Sequence, residues 1–287
     1  MTGLNIDERL KETYDKVKEW GKMLPCMDKM YDKKETPIMR IYLEKDYEAM
    51  SRRAAHIIAA EVHRNPECVL GLATGSTPVG TYKNLIAWNQ AGDISFKKVR
   101  SVNLDEYKGL SGDHDQSYRY FMNTNLFDHI DIDKANTNVP NGLAEDAEAE
   151  CAAYDKLVAD LGYADLQLLG LGHNGHIGFN EPDSRYTKET HVVDLAQSTI
   201  DANARFFESA NDVPRQALTM GMGCIMAARR VLLIANGEGK AEALYNAFCG
   251  PITPECPASI LQLHNDVVVV GDEAALSKLI AAGVEVC

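Results

Sequence analysis

Basic residues are scarce in this chain of 287 residues, in which 29 lysines and arginines stand against 42 aspartates and glutamates. The formal net charge is therefore -13 at pH 7. A protein that binds nucleic acid needs basic patches to meet the phosphate backbone, and the sequence has no such cluster. The composition argues against a nucleic-acid surface, although an acidic protein can still bind a small anion locally.

Long apolar runs are also absent, and the acidic start of the chain lacks the apolar core of a signal peptide. The seven cysteines are scattered, odd in number and without CxxC spacing. This usage is typical of reduced thiols. We therefore expect a cytoplasmic protein that does not bind membranes.

The beginning of the chain differs in pattern from the rest. A charged amphipathic segment runs to Lys22, and the stretch PCMDKMYDKKETP follows it. We interpret residues 1–38 as a helical, tether-like extension and residues 39–287 as a single α/β domain. The extension is either a plain tail or a helix that binds a partner or blocks assembly.

From Met39 onward, short apolar runs alternate with segments of helical spacing. The predicted strands are 39–43, 68–73, 99–104, 166–172, 231–235 and 267–271, and the predicted helices include 46–64, 78–91 and 240–248. This alternation predicts a three-layer, Rossmann-like, mostly parallel sheet with helices on both faces. Loops after parallel strands meet at one edge of the sheet, where we expect the functional site.

The loop TGSTP at 74–78 follows a predicted strand and opens a predicted helix. Gly75 lets the backbone approach a ligand, while Ser76, Thr77 and the first helical N–H groups can donate hydrogen bonds to a phosphate. A plain strand-to-helix turn with a threonine N-cap explains the pentapeptide equally well. The loop matches neither Walker A nor GxGxxG, so no nucleotide is indicated.

The motif NLDEY at 103–107 places Asp105 and Glu106 at the end of a predicted strand. A desolvated carboxylate gains proton affinity, which suits it to remove a proton from a carbon next to a carbonyl or imine. Taken alone, the motif is more typical of two solvated surface acids. Tyr107 is explained by packing.

The loop GLGHNGHIGFNEP at 170–182 separates His176 and Glu181 by five residues. The carboxylate can orient the imidazole and fix its tautomer, so that the histidine takes and returns a proton near neutral pH. A metal site that includes His173 is the weaker alternative, because this HxxH is broken by glycine and is not a helical HExxH. For His173 we favour a hydrogen bond to a buried carbonyl.

Two basic side chains are candidate anion ligands. Lys240 follows a predicted strand and a glycine turn, where its charge can contribute to a phosphate site. Arg205, in DANARFF, can clamp two phosphate oxygens. A lone surface cation usually has no such role, and Arg205 gains weight only from the resemblance described next.

Six motifs in order, over roughly residues 39–275, resemble the glucosamine-6-phosphate deaminases of the glucosamine/galactosamine-6-phosphate isomerase family: GLATGSTPVGTY, NLDEYKGL, GHNGHIGFNEP, ANARFF, VPRQALTMGMG and LQLHND. The resemblance implies conversion of glucosamine 6-phosphate to fructose 6-phosphate and ammonium, without metal or organic cofactor. It implies catalytic roles for Asp105, Asn174, His176 and Glu181. It also implies phosphate contacts from Gly75, Ser76, Thr77, Arg205 and Lys240.

The sequence departs from the family at two places. Many relatives carry aspartate where this chain has Asn174, so Glu181 should orient His176 more nearly alone, with activity retained. Relatives activated by N-acetylglucosamine 6-phosphate carry basic residues where this chain has His191 and Val193. We therefore expect weak or absent activation.

Two alternative functions remain open at this stage. A 6-phosphogluconolactonase-like hydrolase shares the fold but needs no base at C2, so Asp105 and the NEP motif disfavour it. A sugar-phosphate-sensing module is expected to carry a DNA-binding domain, which the acidic N-terminal segment does not resemble. We expect a sugar phosphate as the small-molecule partner, and a homo-oligomer is compatible with the sequence.

Overall fold

The computed structural model describes residues 38–195 and 213–287, together with residues 197 and 200. Its strands are β1 (Ile38–Glu44), β2 (Val69–Leu72), β3 (Arg100–Asn103), β4 (Asp105–Tyr107), β5 (Thr137–Asn138), β6 (Leu166–Leu169), β7 (His191–Asp194), β8 (Gln216–Thr219), β9 (Val231–Ala235) and β10 (Asp266–Asp272). The helices with full descriptions are α1 (Tyr47–Arg64), α2 (Val79–Ala91), α3 (Tyr118–Asn125), α4 (Ala147–Asp160), α5 (Met222–Ala227), α6 (Ala241–Cys249) and α7 (Glu273–Ala281).

Seven strands form a parallel sheet in the order β1-β10-β9-β6-β2-β3-β5. Every residue of β2, β6 and β9 is buried. Successive side chains of a strand point to opposite faces, so both faces of the sheet are covered. The expected α/β fold with a mostly parallel sheet is confirmed.

Local sequence explains where several helices begin. The side chain of Asp46 accepts a hydrogen bond from the Ala49 N–H at 2.8 Å and caps α1. Asp146 and Asp272 cap α4 and α7 in the same way. An aspartate N-cap satisfies one of the helix's free N–H groups and meets the positive end of its dipole.

Strand order creates a crevice between β2 and β6. From β2 the chain proceeds to β3 and β5 on one side, and from β6 it proceeds to β9 and β10 on the other. The loops after β2 and β6 therefore diverge at the carboxyl edge. In open parallel sheets such a switch point is the usual place for a ligand.

A second, antiparallel sheet was not predicted from the sequence. It has the order β4-β8-β7, and β4 begins one residue after β3 ends. An aromatic group packs beside it, in which the ring centroid of Tyr107 lies 4.8 Å from that of Tyr118 and 5.9 Å from that of Phe179. This small sheet turns the chain after β3 back toward the carboxyl edge of the large sheet.

The six predicted strands and the three predicted helices are confirmed, with bounds that differ by one to three residues where they differ at all. The predicted extension over 1–38 lies outside the described residues except for Ile38, which opens β1. Among the helices that the structure describes, none combines the length and the apolar character needed to cross a membrane.

Candidate active site

The loops that carry most of the predicted site residues follow four neighbouring strands, β9, β6, β2 and β3. Lys240 follows β9, the 170–182 loop follows β6, the 74–78 turn follows β2, and Asp105 follows β3. Carboxyl ends of parallel strands share one edge of the sheet. The structure therefore brings these predicted residues to one edge, while Arg205 lies outside the described residues.

Hydrogen bonds connect the loops to one another. The Thr77 hydroxyl donates to Asn236 Oδ1 at 3.1 Å, which ties the turn after β2 to the turn after β9. His173 Nδ1 donates to the Gly239 carbonyl at 3.0 Å, which ties the 170–182 loop to that same turn. His173 thus binds a carbonyl, as we expected, but that carbonyl belongs to an exposed glycine and is not buried.

Asp105 is the first residue of β4 and is only 6% exposed. Among the described residues, no group donates a hydrogen bond to its carboxylate. Burial, and secondarily the charge of Glu106, raise the pKa of Asp105 to about 8. The interpretation of both acids as solvated surface residues is wrong, because β8 and the 170–182 loop cover them.

Glu106 is equally buried but is surrounded by donors. Its two carboxylate oxygens accept hydrogen bonds from the backbone N–H groups of Tyr107, Tyr118 and Arg119 at 2.8–2.9 Å. Burial raises the pKa of Glu106, and these three bonds oppose that rise. Because Tyr118 and Arg119 open α3, Glu106 anchors that helix to β4.

His176 and Glu181 form the pair that the spacing predicted. His176 Nδ1 lies 3.2 Å from Glu181 Oε2, and the side chains are 22% and 12% exposed. The carboxylate accepts, so Nδ1 carries the proton and Nε2 is left for a ligand. Asn174 Nδ2 donates to the same Glu181 oxygen at 2.6 Å, while Asn174 Oδ1 accepts from the His176 N–H at 3.3 Å. Asn174 therefore acts on Glu181 and not on the imidazole ring.

Two glycines of the 170–182 loop determine where the imidazole of His176 lies. A Cβ at Gly172 would lie 2.4 Å from Cε1 and Nε2 of His176, so the ring rests directly on the backbone. Gly175 has φ +86° and packs against the Cys256 thiol, and its carbonyl accepts a hydrogen bond from the Ala258 N–H at 2.8 Å. The loop is thus supported from below by the segment after α6.

The metal alternative finds no geometric support in the structure. His173 uses Nδ1 on a carbonyl, and Glu181 accepts from an amide and an imidazole. In residues 38–195 and 213–287, no three histidine, cysteine or carboxylate side chains are grouped closely enough to hold a metal ion.

The turn at 75–77 offers unused donors. Gly75 has φ +95°, a conformation that favours glycine, and the N–H groups of 75–77 meet no acceptor among the described residues. The threonine N-cap is not observed, because Pro78 occupies the cap position without a side-chain bond. Tyr47 Oη holds the turn by donating to the Ser76 and Thr77 carbonyls at 3.1 and 3.2 Å, and it accepts from the Gly80 N–H of α2 at 2.8 Å. This role of Tyr47 could not be predicted, because Tyr47 lies 33 residues before Gly80 in the chain.

Lys240 is half-buried and has no carboxylate partner within the described part of the chain. Burial lowers the pKa of its ammonium group, and no nearby acid opposes that effect. A desolvated, unpaired cation is unfavourable unless an anion joins it. Lys240 and the N–H groups of 75–77 are therefore groups that can bind an anion, and none of them has an acceptor or acid partner among the described residues.

The carboxyl edge therefore carries a buried carboxylate, an oriented imidazole and a half-buried lysine, in the setting of an α/β enzyme. The family described as glucosamine-6-phosphate isomerases/6-phosphogluconolactonase matches residues 44–270. The chain belongs to this family.

Named relatives resemble the chain along most of its length. A glucosamine-6-phosphate deaminase of Clostridium perfringens strain 13 is 61% identical over 241 residues, which cover 84% of this chain and 100% of the relative. A deaminase of Lachnoclostridium phytofermentans is 59% identical over 232 residues, or 81% of this chain and 98% of the relative.

Solved structures show the same pattern. A monomeric glucosamine-6-phosphate deaminase superposes with TM-score 0.82 at 48% identity, over 84% of this chain and 100% of that structure. The 6-phosphogluconolactonase of Thermotoga maritima superposes with TM-score 0.64 at 18% identity, over 82% and 100%. The second likeness extends to the fold alone.

Proposed function

We propose that the chain converts glucosamine 6-phosphate and water to fructose 6-phosphate and ammonium. The observation that carries this proposal is the buried Asp105 carboxylate, which accepts no hydrogen bond from the described residues and lies beside the loop of the His176–Glu181 pair. Curated relatives that are 51–61% identical to the chain are named glucosamine-6-phosphate deaminases.

The sugar phosphate binds first through its phosphate group. The N–H groups of 75–77 and the ammonium of Lys240 hold that group, joined by Arg205. The phosphate contacts do not act on the bonds that are made or broken at C1 and C2. They fix the position of C1 and C2 relative to the proton-transfer groups.

Ring opening requires a proton to leave the anomeric hydroxyl and another to reach the ring oxygen. His176 performs both transfers through Nε2, because Nδ1 is bonded to Glu181. Asn174 keeps the Glu181 carboxylate in place during the exchange. The open-chain aldehyde then has an acidic hydrogen at C2.

Asp105 removes that hydrogen. In the unliganded chain its raised pKa favours the protonated form, and the 2-ammonium group of the substrate supplies an opposite charge next to C2. The carboxylate takes the C2 proton to give an enolamine and returns a proton to C1. Water adds to the resulting C2 iminium, and ammonia leaves. General acid–base steps of this kind each contribute roughly 10²–10⁴-fold.

Lactone hydrolysis is the weaker candidate. That reaction breaks an ester without removing a proton from C2, so it gives the buried Asp105 carboxylate no role as a base. The lactonases among the structural neighbours are also only 17–20% identical to the chain. Deamination gives a role to Asp105 as well as to the His176–Glu181 pair.

A direct assay tests the proposal. Purified protein is incubated with glucosamine 6-phosphate, and fructose 6-phosphate and ammonium are measured by separate coupled enzymes. We expect both products in equal amounts, and in ²H₂O we expect deuterium in fructose 6-phosphate at C1. Cleavage of 6-phosphogluconolactone without release of ammonium would overturn the proposal.

Activation by N-acetylglucosamine 6-phosphate should be weak or absent. His191 and Val193 line a cavity of about 200 Å³ together with Asp183, Arg185 and Asp194. His191 Nδ1 is already bonded to a backbone carbonyl, and the three carboxylates of this cavity, Glu181, Asp183 and Asp194, outnumber the Arg185 guanidinium and oppose an anion. Rate measured against substrate concentration should be hyperbolic with and without the activator. A sigmoidal curve that the activator relieves would contradict this prediction.

Assembly remains a prediction. The deaminase that is 48% identical is described as monomeric, whereas the sequence of this chain was also compatible with a homo-oligomer. Analytical ultracentrifugation of the full chain and of a version that begins at Ile38 measures the assembly state and the effect of the extension.

A further inference from the structure

Thr219 lies opposite Asp105 in the small sheet, and none of the chemical steps above uses it. The antiparallel register of β4 and β8 pairs Asp105 with Thr219, which is completely buried. The Thr219 hydroxyl oxygen accepts a hydrogen bond from the Phe179 N–H at 3.0 Å. Thr219 thus pairs with Asp105 on β4 through its backbone and binds the 170–182 loop, which carries His176, through its side chain.

The next residue repeats this connection through its backbone. The Met220 N–H donates to the Leu104 carbonyl at 2.7 Å, directly before Asp105. The Met220 carbonyl accepts from Asn180 Nδ2 at 2.9 Å, directly before Glu181. The end of β8 is therefore bonded to both proton-transfer segments, and Thr219 supplies the side-chain part of that clamp.

Space between the two segments is limited at Gly178. A Cβ on Gly178 would lie 3.0 Å from the Thr219 hydroxyl oxygen and 3.5 Å from Asp105 Oδ2. The backbone of the loop thus passes close to both side chains, with φ +59° at this glycine. We expect the distance between this loop and Asp105 to depend on the hydrogen bond from the neighbouring Phe179 N–H to Thr219.

We propose that Thr219 is a positioning residue, which fixes the spacing between the Asp105 carboxylate and the His176–Glu181 pair by holding the Phe179 N–H. This inference rests on the proposed function, in which the two groups transfer protons at neighbouring atoms of one bound sugar. Reacting groups must be aligned closely, and a displacement of about 1 Å can cost on the order of 10²-fold in rate.

Two substitutions separate the hydroxyl from the shape of the side chain. Thr219→Val keeps the shape and leaves the buried Phe179 N–H without an acceptor, whereas Thr219→Ser keeps the acceptor. We expect kcat for deamination to fall about 10–100-fold in T219V with KM changed less than about threefold, because phosphate binding is untouched. In T219S we expect kcat within about threefold of the native value.

Thr190→Val is the matched control. Thr190 is also buried and directly precedes β7 of the same small sheet. Its hydroxyl donates a hydrogen bond to Asp155. Its loss should lower the melting temperature without changing kcat. Circular dichroism and thermal melts of all variants show which of them fold, and T219A replaces T219V if the valine variant is insoluble.

The outcomes distinguish this inference from the proposed function. If the native protein releases no ammonium from glucosamine 6-phosphate, the proposed function fails. If the native protein is active and folded T219V has native kcat, the positioning role alone is overturned. It is also overturned if T219S is as impaired as T219V, or if T190V loses kcat to the same extent.

Discussion

The two acids that we assign to proton chemistry lie in opposite surroundings. Asp105, on β4, is buried without a hydrogen-bond donor in the described structure, and burial raises its pKa to about 8. Glu181, in the 170–182 loop, accepts from Asn174 Nδ2 and from His176 Nδ1. The difference separates a group that exchanges a proton with carbon from a group that orients another side chain.

A second contrast lies within β4 itself. Adjacent residues of a strand point to opposite faces, so Asp105 faces the loop while Glu106 faces the start of α3. Three backbone donors hold Glu106, and none of the described residues donates to Asp105. Two acids that are adjacent in the sequence therefore have different physical roles, and surroundings decide which is reactive.

Asp105→Asn should have the largest effect on activity. An amide cannot accept the C2 proton, so fructose 6-phosphate formation should fall by at least ~10²–10⁴-fold, and C2 exchange in ²H₂O should stop. Binding of the sugar phosphate, measured by calorimetry, should stay similar because Asp105 is not one of the proposed phosphate ligands. Retained C2 exchange in D105N would remove Asp105 from the role of base.

Although Asp105→Asn should abolish activity, it should stabilise the fold relative to the native protein as pH rises, because the pKa of Asp105 is raised. Between pH 4 and 8 the folded chain holds a proton on Asp105 that the unfolded chain has lost. The free energy of unfolding therefore falls as pH rises through this window, by up to about 1.4 kcal/mol per pH unit. D105N removes this loss, so its melting temperature relative to the native protein should increase from pH 5 to pH 8. A difference that is independent of pH would contradict the burial of this acid.

Gly172→Ala tests whether the orientation of the His176 imidazole by Glu181 matters for activity. The new Cβ would lie 2.4 Å from the imidazole ring and must displace it from Glu181. We expect kcat to fall by on the order of 10²-fold, as misplacement of a proton-transfer group does. Gly170→Ala is the matched control, since no atom lies within 4 Å of its Cβ position. Equal activity of G172A and G170A would refute the seating of His176 on Gly172.

Glu106→Gln probes the influence of one acid on the other. Removal of its charge should lower the pKa of Asp105, so the rise of kcat/KM with pH should move to lower pH. The amide has one acceptor oxygen in place of two, which should destabilise the fold by about 1–3 kcal/mol. Glu150→Gln is the control, because Glu150 is a partly exposed acid that also accepts from a backbone N–H, and it should change neither quantity. An unmoved pH profile in E106Q would mean that burial alone sets the proton affinity of Asp105.

The large sheet and the pairing of His176 with Glu181 could be predicted because their signals are local. Buried apolar runs ended in turn residues, and five residues of glycine-rich loop brought the imidazole to the carboxylate. The strand DEY could not be predicted, because three residues, two of them acidic, resemble an exposed turn. Its burial depends on β8, more than 100 residues away in the chain.

Contacts between distant segments explain the remaining differences from the sequence-based expectations. Thr77 bonds to Asn236 and not to its own helix, and Tyr47 holds a turn that it does not adjoin in sequence. That Glu181 orients His176 more nearly alone stays a prediction, whereas the hydrogen bond from the Asn174 amide to Glu181 was not anticipated. Such pairings follow from loop geometry, which neither periodicity nor spacing encodes.

Asn174→Ala should produce the smallest of these effects. Glu181 loses one of its donors and gains rotational freedom, while its contact with His176 remains possible in part of the population. Loss of one hydrogen bond worth about 1 kcal/mol predicts a fall in kcat of roughly fivefold, with KM unchanged. Asn84→Ala, which removes an amide bonded to the Gly80 carbonyl on α2, is the control and should leave kcat at the native value. If N174A were instead as inactive as D105N, Asn174 would have to contact the reacting atoms. The mechanism would then involve Asn174 directly, in addition to the orienting acid Glu181 and the proton-exchanging acid Asp105.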